Sequence, residues 1–177
     1  MATSVSKDAD ESAIADILAR FVKYHPDRID LSLDRMLRLL SDLGNPHENL
    51  PPVIHIAGTN GKGSTTAFLD AVLTASGLRV SAYTSPHLVR FAERYRIAGE
   101  IITDAVLRAL FEEIDAHNAG KPITEYEITT AAAFHAMARA PADIVILETG
   151  LGGRFDATNV VAKPVAPVIT PVGYDHM

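Results

Sequence analysis

Residues 53–77, VIHIAGTNGKGSTTAFLDAVLTASG, constrain the fold of this chain more than any other stretch. The apolar run 53–57 has the composition of a buried strand, and a glycine-rich turn leads from it into a helix predicted over 64–77. The segment 79–85, RVSAYTS, follows as a second strand. A strand, a tight loop, a helix and another strand form a βαβ unit, whose two strands run parallel. The chain is therefore expected to contain a parallel sheet.

The other elements alternate in the same way. Apolar spacing, turn residues and helix caps predict helices over 11–24 and 33–43, a β-hairpin over 94–103, a helix capped by Asp104, a helix over 123–140, and strands over 143–150 and 164–172. This order predicts an α/β fold with a doubly wound, mostly parallel sheet. Residues 1–10 are expected to be a flexible tail before one domain over 11–177.

The helix predicted over 64–77 carries apolar residues that must find a partner. Its inward faces are expected to hold Ala67, Ala71 and the pair Phe68 and Val72. Gly77 is expected to end this helix, as glycine commonly does at a helix C-terminus.

Composition and charge exclude several classes of protein. The net charge of −6 and the lack of a Lys/Arg cluster argue against a nucleic-acid partner. The absence of cysteine excludes disulfides, thiol catalysis and Cys-ligated metals. No apolar run approaches the roughly 18–20 residues that span a membrane, and the polar start lacks the features of a secretory signal. A cytoplasmic protein without a membrane partner is expected.

The loop GTNGKGS, residues 58–64, has the features of a phosphate cradle. Backbone N–H groups of such a loop surround an anion at a helix N-terminus, and glycines allow the close approach. Lys62 can reach the β- and γ-phosphates of a nucleotide, and Ser64 can contact a phosphate or Mg²⁺. The alternative is a tight turn with an exposed lysine. The strand before the loop and the hydroxyl-rich helix start after it favour the phosphate site.

The spacing of this loop departs from the usual phosphate-loop pattern, G-x-x-x-x-G-K-[ST]. Ile56 occupies the position of the first glycine, and Gly63 stands where the hydroxyl residue is expected. A second polar group, Glu148, ends the strand predicted over 143–150. By itself it could be a solvated glutamate. Beside a phosphate loop on the same sheet edge, a metal-binding role is favoured.

Four motifs in order carry a resemblance to a known family: HIAGTNGKGSTTAFLDAVLTASG, YTSPHLVRFAERYRI, LETGLGGRFDATN and the terminal YDHM. From about Ile29 onward, the chain resembles the ATP-binding domain of the folylpolyglutamate synthase/dihydrofolate synthase family, within the Mur ligase superfamily. That superfamily has a P-loop NTPase-like central domain and a shortened G-T-[NK]-G-K loop. The resemblance implies ATP-dependent amide formation through an acyl phosphate, joining L-glutamate to dihydropteroate or a (tetrahydro)folate.

The resemblance also implies roles for individual residues. The ATP phosphates would bind Gly58, Thr59, Asn60, Gly61, Lys62, Gly63 and Ser64. Mg²⁺ would be held by Ser85, Glu148 and His176, and catalysis would depend on Lys62, Glu148 and His176. The pterin side would contact Ile29, Asp30, Leu31, Thr124, Glu125, Tyr126, Phe155, Asp156 and Ala157, with His87 and Arg90 as further candidates. Glu125 replaces an aromatic residue of bifunctional members, so the choice between dihydropteroate and folate stays open.

Enzymes of this family continue well beyond YDHM, into a C-terminal domain that helps to bind glutamate. The resemblance therefore implies that these residues are the N-terminal part of a longer, monomeric enzyme and are inactive alone. Two alternatives remain: another Mur-type ligase, and a nucleotide-binding module without catalysis. The other histidines match no motif; His55 is expected merely to pack in its strand, and His135 to be hydrogen-bonded or on the surface.

Overall fold

The computed structural model describes residues 2–25 and 32–173, and for residues 2–8 it describes the backbone only. Its five helices within these ranges are α1 (Ala2–Val22), α2 (Asp34–Asp42), α3 (Lys62–Ala75), α4 (Asp104–Asn118) and α5 (Glu125–Ala138). Its six strands are β1 (Val53–Ala57), β2 (Val80–Tyr83), β3 (Tyr95–Ile97), β4 (Glu100–Ile101), β5 (Ile144–Glu148) and β6 (Ala166–Ile169). Short 3₁₀ turns cover Pro46–Asn49, Phe91–Arg94 and Ala157–Val160.

The six strands form one sheet in the order β4-β3-β2-β5-β1-β6. Strands β2, β5, β1 and β6 are parallel, and the β3–β4 hairpin adds to β2 in the antiparallel direction. The connection from β1 through α3 to β2 passes over β5, which lies between them. The predicted mostly parallel α/β sheet is confirmed, and the ends of β1, β5 and β2 meet at one edge.

The two faces of the sheet are covered unequally by the described elements. Helices α1, α2, α4 and α5 build the larger core on one face, around the fully buried Phe21, Phe111 and Phe134. On the other face, α3 covers a smaller cluster formed by Ile54, Ile56, Val80, Ala82 and Ile146. Alternate residues of β1 therefore point into different cores, as the pleat of a strand requires.

The predicted inner face of α3 is wrong. Phe68 is 74% exposed and Val72 63% exposed, and Ala67 and Ala71 are exposed as well. Helix α3 packs on the sheet through Thr66, Leu69 and Leu73 instead. Because α3 carries large apolar residues on two faces, its spacing alone could not decide which one packs on the sheet.

Two helix starts also differ from expectation. Helix α1 begins at Ala2, so residues 2–10 are helical rather than the predicted tail, and Asp10 forms an ion pair with Arg108 at 2.9 Å. Thr103, not Asp104, caps α4, since the Thr103 hydroxyl accepts the Val106 N–H. Asp104 instead pairs with Arg90 at 3.0 Å. None of the helices among the described residues has the length and apolar character needed to cross a membrane.

Candidate functional site

Three chain segments meet at the carboxyl edge of the parallel strands. Residues 58–61 follow β1, residues 149–153 follow β5, and Ser85 lies just beyond β2. Ile56 is the register partner of Glu148, so the loop after β1 and the end of β5 are brought to the same level. In a doubly wound sheet this edge is where ligands bind, because the strand order reverses there.

The loop after β1 has the backbone geometry that its glycines predict. Gly61 adopts φ +83° immediately before α3, and Gly58 adopts φ +132°. A Cβ on Gly58 would collide with Thr170, so this position excludes any other residue on space as well as conformation. The Lys62 ammonium donates to the carbonyl oxygens of Gly58 and Thr59, at 2.9 and 3.3 Å. Lysine, loop and helix start are therefore assembled as a cradle.

The segment after β6 holds this loop in place. The Pro171 carbonyl accepts the N–H groups of Thr59 and Asn60, at 3.1 and 3.3 Å. The Thr59 hydroxyl donates to the Gly173 carbonyl at 3.1 Å and accepts the Gly173 N–H at 3.0 Å. The N–H groups at the start of α3 precede the first helical bond, which is donated by Thr65 to Gly61. Those groups are the ones placed to bind an anion.

A cavity of about 440 Å³ lies in front of this loop. Its walls include Lys62 and both glycine-rich loops of the sheet edge: Ala57, Gly58, Thr59, Gly150, Leu151, Gly152, Gly153, Ile169, Val172 and Gly173 complete the lining. Among the predicted phosphate-binding residues, Gly58, Thr59 and Lys62 line the cavity directly. Gly63 is helical within α3 and has no positive φ.

Glu148 lies beside the cradle as a buried carboxyl group. It is 4% exposed, and a Cβ on Gly63 would stand 4.0 Å from Glu148 Oε1. Burial raises the pKa of Glu148, while the Ser85 backbone N–H and the charge of Lys62 act in the opposite direction. A buried carboxylate whose ionised form is disfavoured is a natural partner for a cation.

The structure brings together two of the three predicted metal ligands, Ser85 and Glu148. Both offer oxygen, the ligand type that Mg²⁺ prefers, so these residues fit such an ion. His176 lies outside the described residues. Within those residues, no three His, Asp or Glu side chains gather closely enough to hold a metal by themselves.

A second, less polar cavity of about 670 Å³ opens beside the first. It contains five of the predicted substrate residues: Thr124, Tyr126, Phe155, Asp156 and Ala157. Glu125 is not part of its lining, and Ile29, Asp30 and Leu31 lie outside the described residues. The remaining walls are formed by His25, Ser32, Arg35, Glu127, Leu151, Gly152, Gly153 and Arg154.

An ion pair that sequence reasoning missed forms part of this wall. Arg35 on α2 donates two hydrogen bonds, each 3.0 Å long, to the buried carboxylate of Glu127 on α5. Glu127 also accepts the Thr124 N–H at 2.8 Å, while the Thr124 hydroxyl accepts the Glu127 N–H at 3.0 Å. The T-x-x-E spacing of a capping box could have revealed the second contact. No local signal points to the first.

Tyr126 links the second cavity to the end of β5. Its ring lies under Gly150, where an added Cβ would stand 2.5 Å from Tyr126 Cζ and 2.6 Å from its hydroxyl oxygen. Burial raises the pKa of this phenol well above its usual range, so the hydroxyl stays protonated. Gly150 is therefore required by a neighbouring side chain and not by its backbone angle.

Asp156 has a different environment from the one that a substrate contact predicts. It is 5% exposed, and one oxygen accepts the N–H groups of Gly150 and Leu151 at 3.0 and 2.9 Å. The other oxygen accepts the Thr158 N–H at 2.9 Å and the Thr158 hydroxyl at 2.5 Å. This carboxylate thus holds the loop 150–153, and residues 151–153 line both cavities.

The candidates His87 and Arg90 are engaged within their own segment. Arg94 Nε donates to His87 Nδ1 at 3.1 Å, and Arg90 pairs with Asp104 at 3.0 Å. Neither residue lines one of the two cavities. Their role toward a substrate stays a prediction.

Comparison with known proteins identifies the family. The model of the Mur ligase middle domain matches residues 56–177. This chain belongs to the Mur ligase middle-domain family. The match begins in β1 and includes the phosphate cradle, Ser85, Glu148 and the loop 150–153, so the whole described sheet edge lies within the family domain.

The relatives of this Mur ligase domain are folate enzymes. The chain is 44% identical, over 165 residues, to the dihydrofolate synthase/folylpolyglutamate synthase of Haemophilus influenzae, covering 93% of this chain and 37% of that protein. It is also similar to the structure of E. coli FolC in complex with DHPP and ADP, with a TM-score of 0.84, 39% identity and coverage of 92% of this chain and 39% of the other.

A third similar protein is a bifunctional folylpolyglutamate synthase/dihydrofolate synthase whose structure has Mn, AMPPNP and L-glutamate bound. The TM-score is 0.79 at 38% identity, and the match covers 90% of this chain and 39% of the other. The chain thus spans somewhat more than a third of the length of these relatives.

Proposed function

We propose that the protein is an ATP-dependent ligase that adds L-glutamate to a pterin-containing acid, dihydropteroate or a folate. The observation that carries this proposal is the pair of cavities separated by one loop, 150–153. One cavity faces a phosphate cradle, and the other has Tyr126 and Phe155 among its polar and charged wall residues. Such an arrangement suits transfer of a phosphoryl group between a nucleotide and an acid with an aromatic ring system. The folate enzymes to which the chain is similar support the same assignment.

The proposed chemistry has two steps. An oxygen of the acid's carboxylate attacks the γ-phosphorus of ATP, giving an acyl phosphate and ADP. The amine of glutamate then attacks the acyl carbon, and an amide forms as inorganic phosphate leaves. The first step makes a good leaving group from a carboxylate oxygen, which by itself leaves poorly. The protein therefore has to position ATP and offset the charge on the transferring group.

Residues of this chain supply that positioning. The N–H groups at the start of α3 bind phosphate oxygens, and Lys62 exchanges its two loop carbonyls for the phosphates. The second cavity holds the pterin ring of the substrate against Tyr126 and Phe155. This placement directs the carboxylate of the substrate toward the cradle. Glu148 and Ser85 would hold Mg²⁺, which supplies charge neutralisation for phosphoryl transfer when bound. His176 completes the proposed ligand set.

The cellular setting is part of the same proposal. We propose a cytoplasmic, monomeric enzyme whose partners are small molecules; the lack of cysteine suits a reducing compartment, and the net charge of −6 argues against a nucleic-acid partner. Sedimentation of the complete gene product and binding to labelled duplex DNA test these two points. A stable oligomer or tight duplex binding contradicts them.

Activity is tested on the complete gene product with ATP, Mg²⁺, L-glutamate and either dihydropteroate or tetrahydrofolate. We expect ADP release coupled to a product one glutamate heavier, detected by mass spectrometry. Comparing the two acids decides the substrate preference. Turnover with a UDP-muramyl acid instead would assign the protein to cell-wall synthesis, and ATP binding without any product would support a module without catalysis.

The Lys62→Ala variant tests the cradle within this assay. We expect turnover to fall at least about 100-fold, because one charge and two phosphate contacts are lost from the transition state. Lys163→Ala removes an exposed lysine that lines neither cavity, and it is the matched control. Equal activity of both variants would show that the loop does not serve phosphoryl transfer.

A further inference from the structure

His55 occupies a position in β1 that packing alone does not explain. Its neighbours Ile54 and Ile56 point into the core beneath α3, so His55 points to the opposite face of the sheet. There, its Nε2 atom lies 2.8 Å from Thr158 Oγ1 and 3.1 Å from Thr149 Oγ1. The imidazole is partly buried, and burial lowers its pKa. It is therefore a neutral ring with one N–H to place.

The hydrogen bonds around Thr158 decide which ring nitrogen carries that proton. Asp156 accepts three backbone N–H groups and the Thr158 hydroxyl, which lies 2.5 Å from its Oδ1. A hydroxyl has one proton to donate, and Thr158 donates its proton in the hydrogen bond to Asp156. Thr158 Oγ1 must then act as acceptor toward His55. The arrangement requires the tautomer with the proton on Nε2.

The chain of contacts ends on the loop between the two cavities. His55 Nε2 donates to Thr158, Thr158 donates to Asp156, and Asp156 accepts the N–H groups of Gly150 and Leu151. We propose that His55 is a positioning residue, which fixes the loop 150–153 through Thr158 and Asp156 and so sets the relation between the two cavities. The naming of these cavities as nucleotide and pterin sites rests on the proposed function.

The position of His55 in β1 links the relay to the phosphate cradle. Three residues after His55 the chain enters the phosphate cradle at Gly58, and the same strand is the register partner of β5. The side-chain relay adds a second tie between β1 and the segment that follows β5. A shift of the loop 150–153 would therefore move one wall of both cavities relative to the cradle.

Two substitutions at His55 separate hydrogen bonding from packing. His55→Leu fills a similar space without a donor, whereas His55→Gln retains an amide donor that can reach the position of Nε2. Thr158→Val breaks the same relay one step further on and keeps the side-chain shape. The measurement is amide hydrogen exchange of residues 149–153 in the complete gene product, read by mass spectrometry of that segment.

We expect exchange in this segment to rise about 10-fold or more in both variants, since Thr158→Val removes a hydrogen bond to Asp156 and His55→Leu removes the donor that orders the Thr158 hydroxyl. In His55→Gln the rise should stay below about 3-fold. Unchanged exchange in His55→Leu overturns the inference, as does equally fast exchange in the Gln and Leu variants. If His55→Leu does not fold, Thr158→Val against wild type decides the matter on the same scale.

Ligation kinetics connect the relay to the proposed function. We expect His55→Leu to raise the KM values for ATP and for the pterin acid together, with a smaller effect on kcat, and His55→Gln to restore both. A wild-type protein that makes no ligation product overturns the proposed function, yet leaves the exchange measurement able to decide the role of His55. Active wild-type protein with unchanged exchange in both relay variants overturns the positioning role alone.

Discussion

At the scale of single residues, the sheet edge brings together groups that would be unfavourable elsewhere. Glu148 is a carboxyl group at the end of a central strand with a pKa raised by burial. The Lys62 ammonium is held by two backbone carbonyls. Each group has a partial partner, and under the proposed function Lys62 would turn to a phosphate and Glu148 to a cation. The cost of burying them belongs to the site and not to the fold.

Replacing Glu148 by Gln tests that cost. A carboxyl group whose folded pKa lies above its unfolded value binds protons more readily in the folded state. Its cost to stability is absent at acid pH and appears as pH rises through the folded pKa. Without divalent cations, Glu148→Gln should therefore raise the melting temperature at neutral pH by a few degrees, and the gain should vanish near about pH 4.

The control for Glu148→Gln is Glu112→Gln, since Glu112 is an exposed carboxylate paired with Arg108 on the same helix. It should change the melting temperature little at either pH. A Glu148→Gln protein that is less stable than wild type at neutral pH would contradict the argument. It would mean that the carboxylate is better satisfied than its burial indicates.

Gly150→Ala tests the contact between the end of β5 and Tyr126. The added Cβ would stand 2.5 Å from Tyr126 Cζ, so either the ring or the loop 150–153 must move. We expect a loss of about 1–3 kcal/mol in the free energy of unfolding, measured by urea denaturation. Gly173→Ala meets no atom within 4 Å and should stay within about 0.5 kcal/mol of wild type. Equal losses in the two variants would contradict the close packing.

At the scale of elements, α3 carries the phosphate cradle at one end and an unexpected face along its length. It packs on the sheet through Thr66, Leu69 and Leu73, which leaves Phe68 and Val72 exposed. Helix α5 is the opposite case, since most of its residues are buried and it contacts α1, α2 and α4 as well as the sheet. The two helices lie on different faces of the same sheet, and their burial reflects what covers each of them.

A pair of phenylalanines tests this contrast in the 177-residue chain. Phe68→Ala should cost less than about 0.5 kcal/mol of stability, because an exposed side chain loses little on truncation. Phe134→Ala on α5 removes a fully buried ring of the same size and should cost about 3–5 kcal/mol. Urea denaturation of both variants gives the comparison. A cost above about 2 kcal/mol for Phe68→Ala would indicate that Phe68 lies on the buried face of α3, as the sequence predicts.

At the scale of the whole molecule, the stability of the fold depends in part on two partly buried histidines whose charged form is disfavoured. Burial lowers the pKa of both His47 and His55. Carboxyl groups on the surface act in another pH range: Arg79 lowers the pKa of Asp143, and His135 with Arg139 lowers that of Glu113. Acid therefore weakens the fold through two sets of groups, one after the other.

The histidines determine the first part of the acid response. A histidine with a lowered folded pKa is protonated more readily in the unfolded chain, so stability falls as pH drops below about 6.5. The carboxylates add a further loss below about pH 4.5, as they are protonated. We expect the urea midpoint to fall between about pH 7.5 and 5.5, and to fall less when His47 and His55 are both replaced by Gln. An unchanged midpoint in wild type over this range would contradict the assignment.

Sequence by itself determined the order of elements and the location of the glycine-rich loop proposed to bind phosphate. Alternating apolar runs and turn residues placed β1, α3, β2, α5 and β5, because local periodicity reflects which residues must leave water. The spacing of Gly58, Gly61 and Lys62 predicted the loop, since its conformation is decided by residues that are neighbours in the chain. Glu148 followed from its place at a strand end.

Tertiary structure alone decided which groups these local features would meet. The ion pair of Arg35 with Glu127 and the contact of His55 with Thr158 join residues 92 and 103 positions apart, and the core face of α3 is set by the strands that fold against it. Asp156 belongs to the motif LETGLGGRFDATN, which predicted a substrate contact. Its hydrogen bonds to Gly150 and Leu151 show that it holds the loop 150–153. A hydrogen bond is satisfied by whatever atom folding brings near, and no local pattern records that choice. The conformation of the cradle is thus decided by a short segment of the sequence. The contacts around it are decided by the sheet, which brings distant segments together.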